Sequence, residues 1–383
     1  MIEPKDFCST LLDLDIDFYA GVPDSLLKDI CAFVTDNFSE DKHKITANEG
    51  SAIGLAIGYY LSSKKLPIVY MQNSGIGNAV NPLISLADKK VYSVPMILMI
   101  GWRGEPGKKD EPQHLKQGLI TEDLLKVLEI PYKIISENTS KEELSKLLQE
   151  QKDLALSEMS PVALLIKKGA FSSYEMPSSH INKNNLSNQN LMSRAEFIDY
   201  FAKMKFSQAV ISTTGVTSRQ LLQTRKENYQ DTSGDFLTVG GMGHASQIAL
   251  GIAINRPNIK VTCIDGDGAL LMHMGSLASI ADSKCKNYYY ILLNNSVHDS
   301  VGGQPIGAKS IDFLKIAEAS GFKKLYRIEN QKQLSNLDQF FKEKGPIFIE
   351  VILKSGFPSN LIRPDKTPIE NKYSFEKFLL NQD

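Results

Sequence analysis

The 383-residue sequence has little cysteine and almost no net charge. Its four cysteines are scattered and form no Cys-x-x-Cys pair, so we expect neither a disulfide framework nor a structural zinc site. Such cysteines suit reduced thiols, and we predict a cytoplasmic protein. A formal net charge of −1 gives no general attraction to nucleic acids or acidic membranes, so neither is predicted as a partner.

Long apolar runs are also missing from the chain. No segment reaches the roughly 20 apolar residues that span a bilayer, and residues 1–10 lack the apolar centre of a secretory signal. No Gly-x-Gly-x-x-Gly opens a predicted helix, which makes an NAD-binding enzyme the least favoured α/β candidate. The apolar content of 42% is that of a globular protein, and 383 residues are enough for two ordinary domains.

Apolar runs of strand length alternate with helix-like segments in both halves of the chain. We therefore predict an α/β protein with two similar domains, residues 1–175 and 193–383, each a mostly parallel sheet flanked by helices. A polar linker rich in Ser, Asn and Pro, residues 176–192, separates them. The predicted strands include 44–48, 67–72, 94–101, 162–167, 210–214 and 347–352.

Two further segments have no such alternation, and one turn offers a helix start. Residues 104–116 combine charge with Pro and Gly, which predicts a loop; a solvated surface loop is the simplest interpretation, and an active-site loop is the alternative. Asp24 or Ser25 is a plausible helix N-cap. The chain from Lys354 onward is predicted to be irregular.

One stretch, Val261 to Val297, organises the second half. An apolar strand ends in Asp265, Gly266, Asp267 and Gly268, a single crossover helix is predicted over 269–283, and a second apolar strand ends in an Asn pair. In a parallel β-α-β unit, both polar tips lie at the carboxyl edge of the sheet, where such sheets bind ligands.

The residue types at this edge indicate a phosphate and a metal ion. Gly266 and Gly268 carry no Cβ, so a phosphate can approach the backbone, and the following helix directs its N–H groups at the same place. The carboxylate of Asp267 and an Asn amide supply oxygen ligands for Mg²⁺, whose other ligands would be phosphate and water. The alternative is an ordinary turn followed by an unrelated Asn pair.

The full spacing resembles a known signature. Gly-Asp-Gly, then 25 residues, then Asn294-Asn295 resembles the diphosphate-binding motif of the thiamine-diphosphate-dependent decarboxylases. The resemblance implies that Asp267, Asn295 and the Val297 carbonyl bind Mg²⁺. It also implies two thiamine-diphosphate-binding-type domains without the central third domain of larger relatives. The expected cofactor-binding residues in this half are Gly215, Gly240, Met242, Gly266, Asp267, Gly268, Ala269 and Asn295.

The same resemblance implies roles for three residues outside this motif. Glu49 matches the carboxyl group that hydrogen-bonds the pyrimidine ring and activates the cofactor. Met242 matches the apolar residue that holds the cofactor bent, and Gly240 offers a carbonyl to its exocyclic amine. If water is excluded from Glu49, desolvation should raise its pKa. The alternative is an exposed carboxylate at the start of a helix.

Further motifs suggest the substrate. Segments 101–104, 110–114, 215–219, 302–305, 361–364 and 367–372 together resemble the phosphonopyruvate decarboxylase branch of this family. That branch implies release of CO₂ from 3-phosphonopyruvate to give phosphonoacetaldehyde, in phosphonate biosynthesis. The sulfopyruvate decarboxylase branch shares most of these features and is the main alternative. A carboligase of the acetolactate synthase type and a non-catalytic diphosphate-binding protein also stay open.

Either 2-oxo acid carries a compact anionic head group, which calls for cationic side chains or helix N-termini. Arg103, His114, Arg219 and His298 are the predicted substrate-binding residues, and His114 and His298 are also predicted to be catalytic. Lys108, Lys109 and Arg363 are weaker candidates. Each of these groups could instead be an ordinary surface charge or salt-bridge partner.

The resemblance also implies at least a homodimer with shared active sites. Residues 50–60 carry small residues at alternate positions, and so many small residues suit close contact between helices or subunits.

Overall fold

The computed structural model describes residues 1–175, 191–204, 208–307 and 310–382. The chain divides into two compact units, Met1–Lys183 with Val301–Gly307, and Asn184–Ser300 with Ala308–Asp383. The predicted linker lies outside the described residues at positions 176–190, so the predicted domain boundaries stay predictions. Among the helices of the described ranges, none has both the length and the apolarity needed to cross a membrane.

The first unit contains a six-stranded sheet in which all paired strands are parallel. The strand order is β2-β1-β3-β4-β6-β5. Its strands are β1 (Phe18–Gly21), β2 (His43–Ile45), β3 (Pro67–Gln72), β4 (Ile97–Gly101), β5 (Tyr132–Ile135) and β6 (Val162–Ile166). Its helices are α1 (Pro4–Asp13), α2 (Lys28–Asn37), α3 (Glu49–Ser63), α4 (Ile76–Pro82), α5 (Pro112–Val127) and α6 (Lys141–Glu158).

Apolar side chains cover both faces of this sheet. In β3, Ile68 and Tyr70 belong to one buried cluster, and Val69 and Met71 belong to the cluster on the opposite face. A parallel sheet covered on both faces produces continuous apolar strands, which is why these strands were visible in the sequence. The polar groups are left to the strand ends and the loops that follow them.

The second unit contains another six-stranded parallel sheet, in the order β13-β14-β10-β9-β7-β8. Its strands are β7 (Gln208–Ser212), β8 (Asp235–Leu237), β9 (Lys260–Gly266), β10 (Tyr288–Asn294), β13 (Lys324–Ile328) and β14 (Ile347–Ile352), and the two-residue strand β11 (Val297–His298) follows β10. The two-residue strand β12 (Gln304–Pro305) lies in the segment Val301–Gly307, which belongs to the first unit. The helices of this half are α7 (Arg194–Lys203), α8 (Val216–Glu227), α9 (Ala245–Asn255), α10 (Asp267–Met272), α11 (Ser276–Ser283), α12 (Phe313–Ala319), α13 (Asn336–Phe340) and α14 (Pro368–Leu380).

The predicted α/β class, with two similar parallel sheets, is confirmed, but several local predictions are wrong. The single crossover helix over 269–283 is two helices, α10 and α11, because His273 leaves the helical conformation at φ −137° and ψ 48°. The predicted N-cap at Asp24 or Ser25 is also wrong, since α2 begins at Lys28 after Leu27.

Two segments predicted to be irregular contain helices. The loop predicted over 104–116 ends early, because α5 begins at Pro112, and proline is well suited to the first position of a helix. The C-terminal segment contains α14, whose Thr367 forms a capping box with Glu370. Both start signals are present in the sequence, and the surrounding charge obscured them.

Candidate active site

The carboxyl edge of the second sheet brings the two predicted polar tips together. Asp267 is buried and begins α10 directly after β9. Its Oδ1 accepts a hydrogen bond from the Gly268 N–H at 2.7 Å. Its Oδ2 accepts from the N–H groups of Asn295 at 3.1 Å and Ser296 at 2.6 Å. The Asp267 carboxylate therefore joins the segments that follow β9 and β10 through hydrogen bonds, as the motif spacing predicts.

The environment of the Asp267 carboxylate suits a bound cation. Burial raises the pKa of Asp267 to about 6, although the three backbone N–H groups oppose the shift. A buried carboxylate is unfavourable unless positive charge compensates it, and a divalent cation would provide that charge. The described residues contain no group of three His, Cys, Asp or Glu side chains able to hold a metal. A cation at Asp267 would thus need Asn295, a backbone carbonyl and ligand oxygens, which is the predicted set.

A network that the sequence did not reveal orients Asn295. Its Nδ2 donates to Oδ2 of Asp299 at 2.6 Å, so the amide oxygen faces away from Asp299. That oxygen accepts a long hydrogen bond from the Val297 N–H at 3.3 Å and keeps a second lone pair that a cation could use. Asp299 is held in turn by Nη2 of Arg194 at 2.8 Å and by the Gly356 N–H at 3.0 Å. The side chains of Arg194 and Asp299 are only 9% and 8% exposed. The one available signal was an aspartate four residues after the Asn.

Two more predicted residues, His298 and Met242, meet at Gly268. A Cβ added to this glycine would lie 2.8 Å from Cε1 of His298 and 3.3 Å from Cε of Met242. The absence of a side chain at position 268 therefore allows this contact. Burial lowers the pKa of His298 to about 4, so its imidazole is neutral at pH 7. A neutral ring can exchange a proton or a hydrogen bond, but it adds no positive charge for an anionic substrate.

The other predicted residues of this unit lie on neighbouring segments. Gly215 precedes α8 with φ +89°, a conformation that favours glycine. Gly240 lies after β8 and before α9, while Gly266 ends β9 and Ala269 is buried in α10. Arg219 donates from Nε to the Ile362 carbonyl at 3.1 Å and from Nη2 to the Leu361 carbonyl. These two donors hold the C-terminal segment, and substrate binding by Arg219 stays a prediction.

In the first unit, Glu49 is the first residue of α3 and is only 5% exposed. Burial raises its pKa, while a hydrogen bond from Nδ2 of Asn78 to Oε2, at 2.7 Å, opposes that rise. A Cβ added to Gly75 would lie 2.4 Å from Oε1. The predicted shielding and pKa direction are confirmed, and the alternative of an exposed helix-start carboxylate is wrong.

Asp24 is a second buried carboxyl group at the carboxyl edge of the first sheet, and the sequence analysis considered it only as a helix N-cap. Its Oδ1 accepts from Nε2 of Gln72 at 2.6 Å and its Oδ2 from the Leu26 N–H at 3.0 Å. Burial raises its pKa, against the opposing effects of Gln72 and Arg103. A Cβ on Gly101 would lie 2.2 Å from Oδ2 of Asp24. Glycine at the end of β4 thus leaves room for a carboxyl group that follows β1.

Arg103 and His114 share one aspartate. Arg103 donates to Asp110 from Nε at 2.9 Å and from Nη2, and it donates from Nη1 to the Ser25 hydroxyl at 2.6 Å. His114 Nδ1 lies 3.0 Å from Oδ1 of the same carboxylate. Burial raises the pKa of Asp110, but the hydrogen bonds from Arg103 and His114 outweigh it and leave the pKa well below its ordinary value. The two predicted substrate residues therefore belong to one ordered cluster.

Each half of the chain matches a known protein family. Residues 5–125 match the family described as "Thiamine pyrophosphate enzyme, N-terminal TPP binding domain", and residues 211–351 match the corresponding C-terminal TPP binding domain. Thiamine pyrophosphate is another name for thiamine diphosphate. The first range contains Glu49 and the second contains Asp267, so each of these buried carboxyl groups lies in one TPP-binding domain.

Similarity to individual proteins extends over nearly the whole chain. Phosphonopyruvate decarboxylase of Streptomyces viridochromogenes is 31% identical, over 99% of this chain and 95% of that protein. Phosphonopyruvate decarboxylase of Streptomyces hygroscopicus is 30% identical, over 99% and 94%. Sulfopyruvate decarboxylase of Methanosarcina acetivorans is 27% identical, over 89% and 88%. With this coverage, the chain belongs to the family of thiamine pyrophosphate enzymes, among its decarboxylases.

Proposed function

We propose that this chain decarboxylates 3-phosphonopyruvate to phosphonoacetaldehyde and CO₂, with thiamine diphosphate and Mg²⁺, in the synthesis of phosphonates. The proposal rests on two buried carboxyl groups, Glu49 and Asp267, each at the carboxyl edge of one sheet. The chain that carries them is similar along its length to two phosphonopyruvate decarboxylases. The Methanosarcina relative makes sulfopyruvate the second candidate substrate.

The residues present fit the cofactor and its cation. Asp267, Asn295 and the Val297 carbonyl would hold Mg²⁺, and the backbone from Gly266 to Ala269 would receive the diphosphate. Met242, in contact range of Gly268, would support the middle of the cofactor. When bound, thiamine diphosphate supplies the electron sink that allows a 2-oxo acid to lose CO₂.

The chain itself supplies the proton-handling groups. Because its pKa is raised, the Glu49 carboxyl can keep a proton and donate a hydrogen bond to a pyrimidine nitrogen. Asn78 binds the other carboxyl oxygen and fixes the orientation of the group. Asp24, with its own raised pKa, is a second proton-holding group at the same sheet edge, suited to protonating the product. Burial of both carboxyls keeps competing water away from these protons.

We further propose that the enzyme is a homodimer or higher oligomer whose active sites are shared between subunits. Helix α3 exposes Leu55 (39%) and Leu61 (56%). On the same helix, an added Cβ at Gly54 or Gly58 would meet no atom within 4 Å. Such an apolar face, with small residues in it, suits close packing of two helices, and a twofold interface built from it would close on itself.

The proposed reaction is tested by measuring CO₂ release from phosphonopyruvate, sulfopyruvate and pyruvate under the same conditions, with products identified by NMR. We expect kcat/KM for phosphonopyruvate to exceed that for pyruvate by about 10–100-fold, the effect of a charge-assisted contact to the head group. A higher kcat/KM for sulfopyruvate would support the second candidate. Acetolactate-type products from pyruvate would contradict a simple decarboxylase.

The role of Asp299 gives a prediction for cation binding. Asp299→Ala should weaken Mg²⁺-dependent binding of thiamine diphosphate by about 10–100-fold, because Asn295 loses the group that orients its amide. Calorimetry measures this effect, and thermal unfolding checks that the variant is folded. Asp199→Ala, which removes a half-exposed aspartate paired with Lys203 in the same unit, is the matched control. Equal cofactor affinity in the two variants would show that Asp299 does not position the ligand.

Shared active sites predict complementation between two inactive variants. A mixed dimer of Glu49→Gln and Asp267→Ala subunits should contain one site with both changes and one with neither. Activity should therefore reappear after subunit exchange, up to about half that of wild type in each mixed dimer. Native mass spectrometry confirms that mixed dimers form. Their presence without any recovered activity would mean that each chain completes its own site.

A further inference from the structure

The first unit contains a cavity of about 290 Å³ at the carboxyl edge of its sheet. It lies among the segments that follow β1, β4 and β6. Cationic side chains dominate its lining, together with a serine hydroxyl and the only tryptophan of the sequence. The lining includes Ser25, Trp102, Arg103, Lys108, Lys109 and Lys168.

The charges of this cavity do not cancel. Four cationic side chains line it, against the two carboxylates of Glu105 and Asp110. Both carboxylates are already engaged, Glu105 by Lys167 at 2.7 Å and Asp110 by Arg103 and His114. The ion pairs found within the described ranges include none to the lysines at 108, 109 and 168. The lining therefore has two positive charges in excess.

The floor of the cavity is rigid. Arg103 is fixed between Asp110 and the Ser25 hydroxyl, so its guanidinium cannot turn freely. The loop around it packs tightly on α5, since a Cβ added to Gly118 would lie 1.7 Å from the Gly104 carbonyl oxygen. The Trp102 indole donates to the Gly118 carbonyl at 3.0 Å. The three lysines are exposed and can close over a ligand from the rim.

A short run of contacts connects this cavity to the proton-handling groups. Ser25 in the lining follows Asp24, whose carboxylate accepts from Gln72. The Gln72 amide oxygen accepts from the Ser74 hydroxyl at 2.8 Å, and the next residue, Gly75, packs on Glu49. The cavity is therefore on the same sheet edge as both buried carboxyls, where the remote end of a small substrate would extend.

We propose that this cavity binds the phosphonate head group of the substrate and selects a dianion over a monoanion or a neutral methyl group. The inference rests on the proposed function and adds the residues that determine its specificity. A phosphonate, like a phosphate monoester, carries nearly two negative charges near pH 8, which matches the excess in the lining. A sulfonate carries one, and pyruvate has no charged head. Arg103 provides a fixed planar donor set, and the lysines provide mobile point charges.

Lysine-to-methionine substitutions test the proposal without disturbing the floor. In Lys108→Met, Lys109→Met, Lys168→Met and the triple variant, kcat/KM for phosphonopyruvate should fall, by about 10–100-fold in the triple variant. The loss should be smaller for sulfopyruvate and smallest for pyruvate. Lys146→Met, whose side chain is 80% exposed on α6, is the matched control and should leave all three values unchanged. Equal losses for all three substrates, or no loss, would overturn the proposal.

A second measurement does not depend on turnover. Because Trp102 lines the cavity and has no other tryptophan to mask it, its fluorescence reports occupancy directly. Methylphosphonate should change the emission saturably, and more tightly than methanesulfonate, in wild type but not in the triple variant. Tighter methanesulfonate binding, or identical titrations in wild type and the triple variant, would overturn the proposal. If the protein binds methylphosphonate saturably but does not turn over phosphonopyruvate, the lack of turnover rejects the proposed reaction. The binding would still support an anion site in this cavity.

Discussion

Removal of carboxyl groups from water is the constraint on which the site depends. Glu49, Asp24 and Asp267 are all 5% exposed or less, and burial raises the pKa of each. Parallel sheets covered on both faces leave only their carboxyl edges for polar chemistry. Desolvated there, a carboxyl group either keeps its proton or requires a cation. Glu49 and Asp24 suit the first outcome, and Asp267 suits the second.

Glycine and secondary hydrogen bonds make these buried positions possible. Gly75 and Gly101 leave space for Glu49 and Asp24, respectively, and no other residue would do so without displacing the carboxyl group. At the other sheet, Asp299 holds the amide of Asn295 in one orientation. In each case, the residue with a proposed role is positioned by a neighbour on another segment of the chain. Precise orientation of a few groups is what makes such a site effective.

The sequence allowed the fold class and the diphosphate motif to be predicted for definite reasons. Strands β9 and β10 are continuous apolar runs because both of their faces are buried, and the polar residues at their ends stand out against them. The motif spacing then predicted that Asp267 and Asn295 meet, which the structure confirms. Glu49 was identified from its local context and the resemblance together, and its burial was the expected consequence.

The remaining features depend on contacts between distant parts of the chain. Asp24 resembles an ordinary turn residue until Gln72, 48 positions later, and the end of β4 enclose it. Arg219 stays a predicted anion ligand, and two of its donors also meet carbonyls 142 and 143 residues away, contacts that the sequence did not indicate. The start of α5 was hidden because charge and proline near position 112 are typical of loops as well as of helix N-termini. Composition alone could not distinguish these cases.

Deuterium exchange at C2 of bound thiamine diphosphate, followed by NMR, tests most directly whether the buried Glu49 carboxyl serves the cofactor. We expect Glu49→Gln and Gly75→Ala to bind the cofactor but to lose most of the exchange rate, the first by removing the proton-holding group and the second by displacing it. Gly77→Ala, where an added Cβ meets no atom within 4 Å, should exchange at the wild-type rate. Wild-type exchange in Glu49→Gln would contradict the account and assign cofactor activation to another residue.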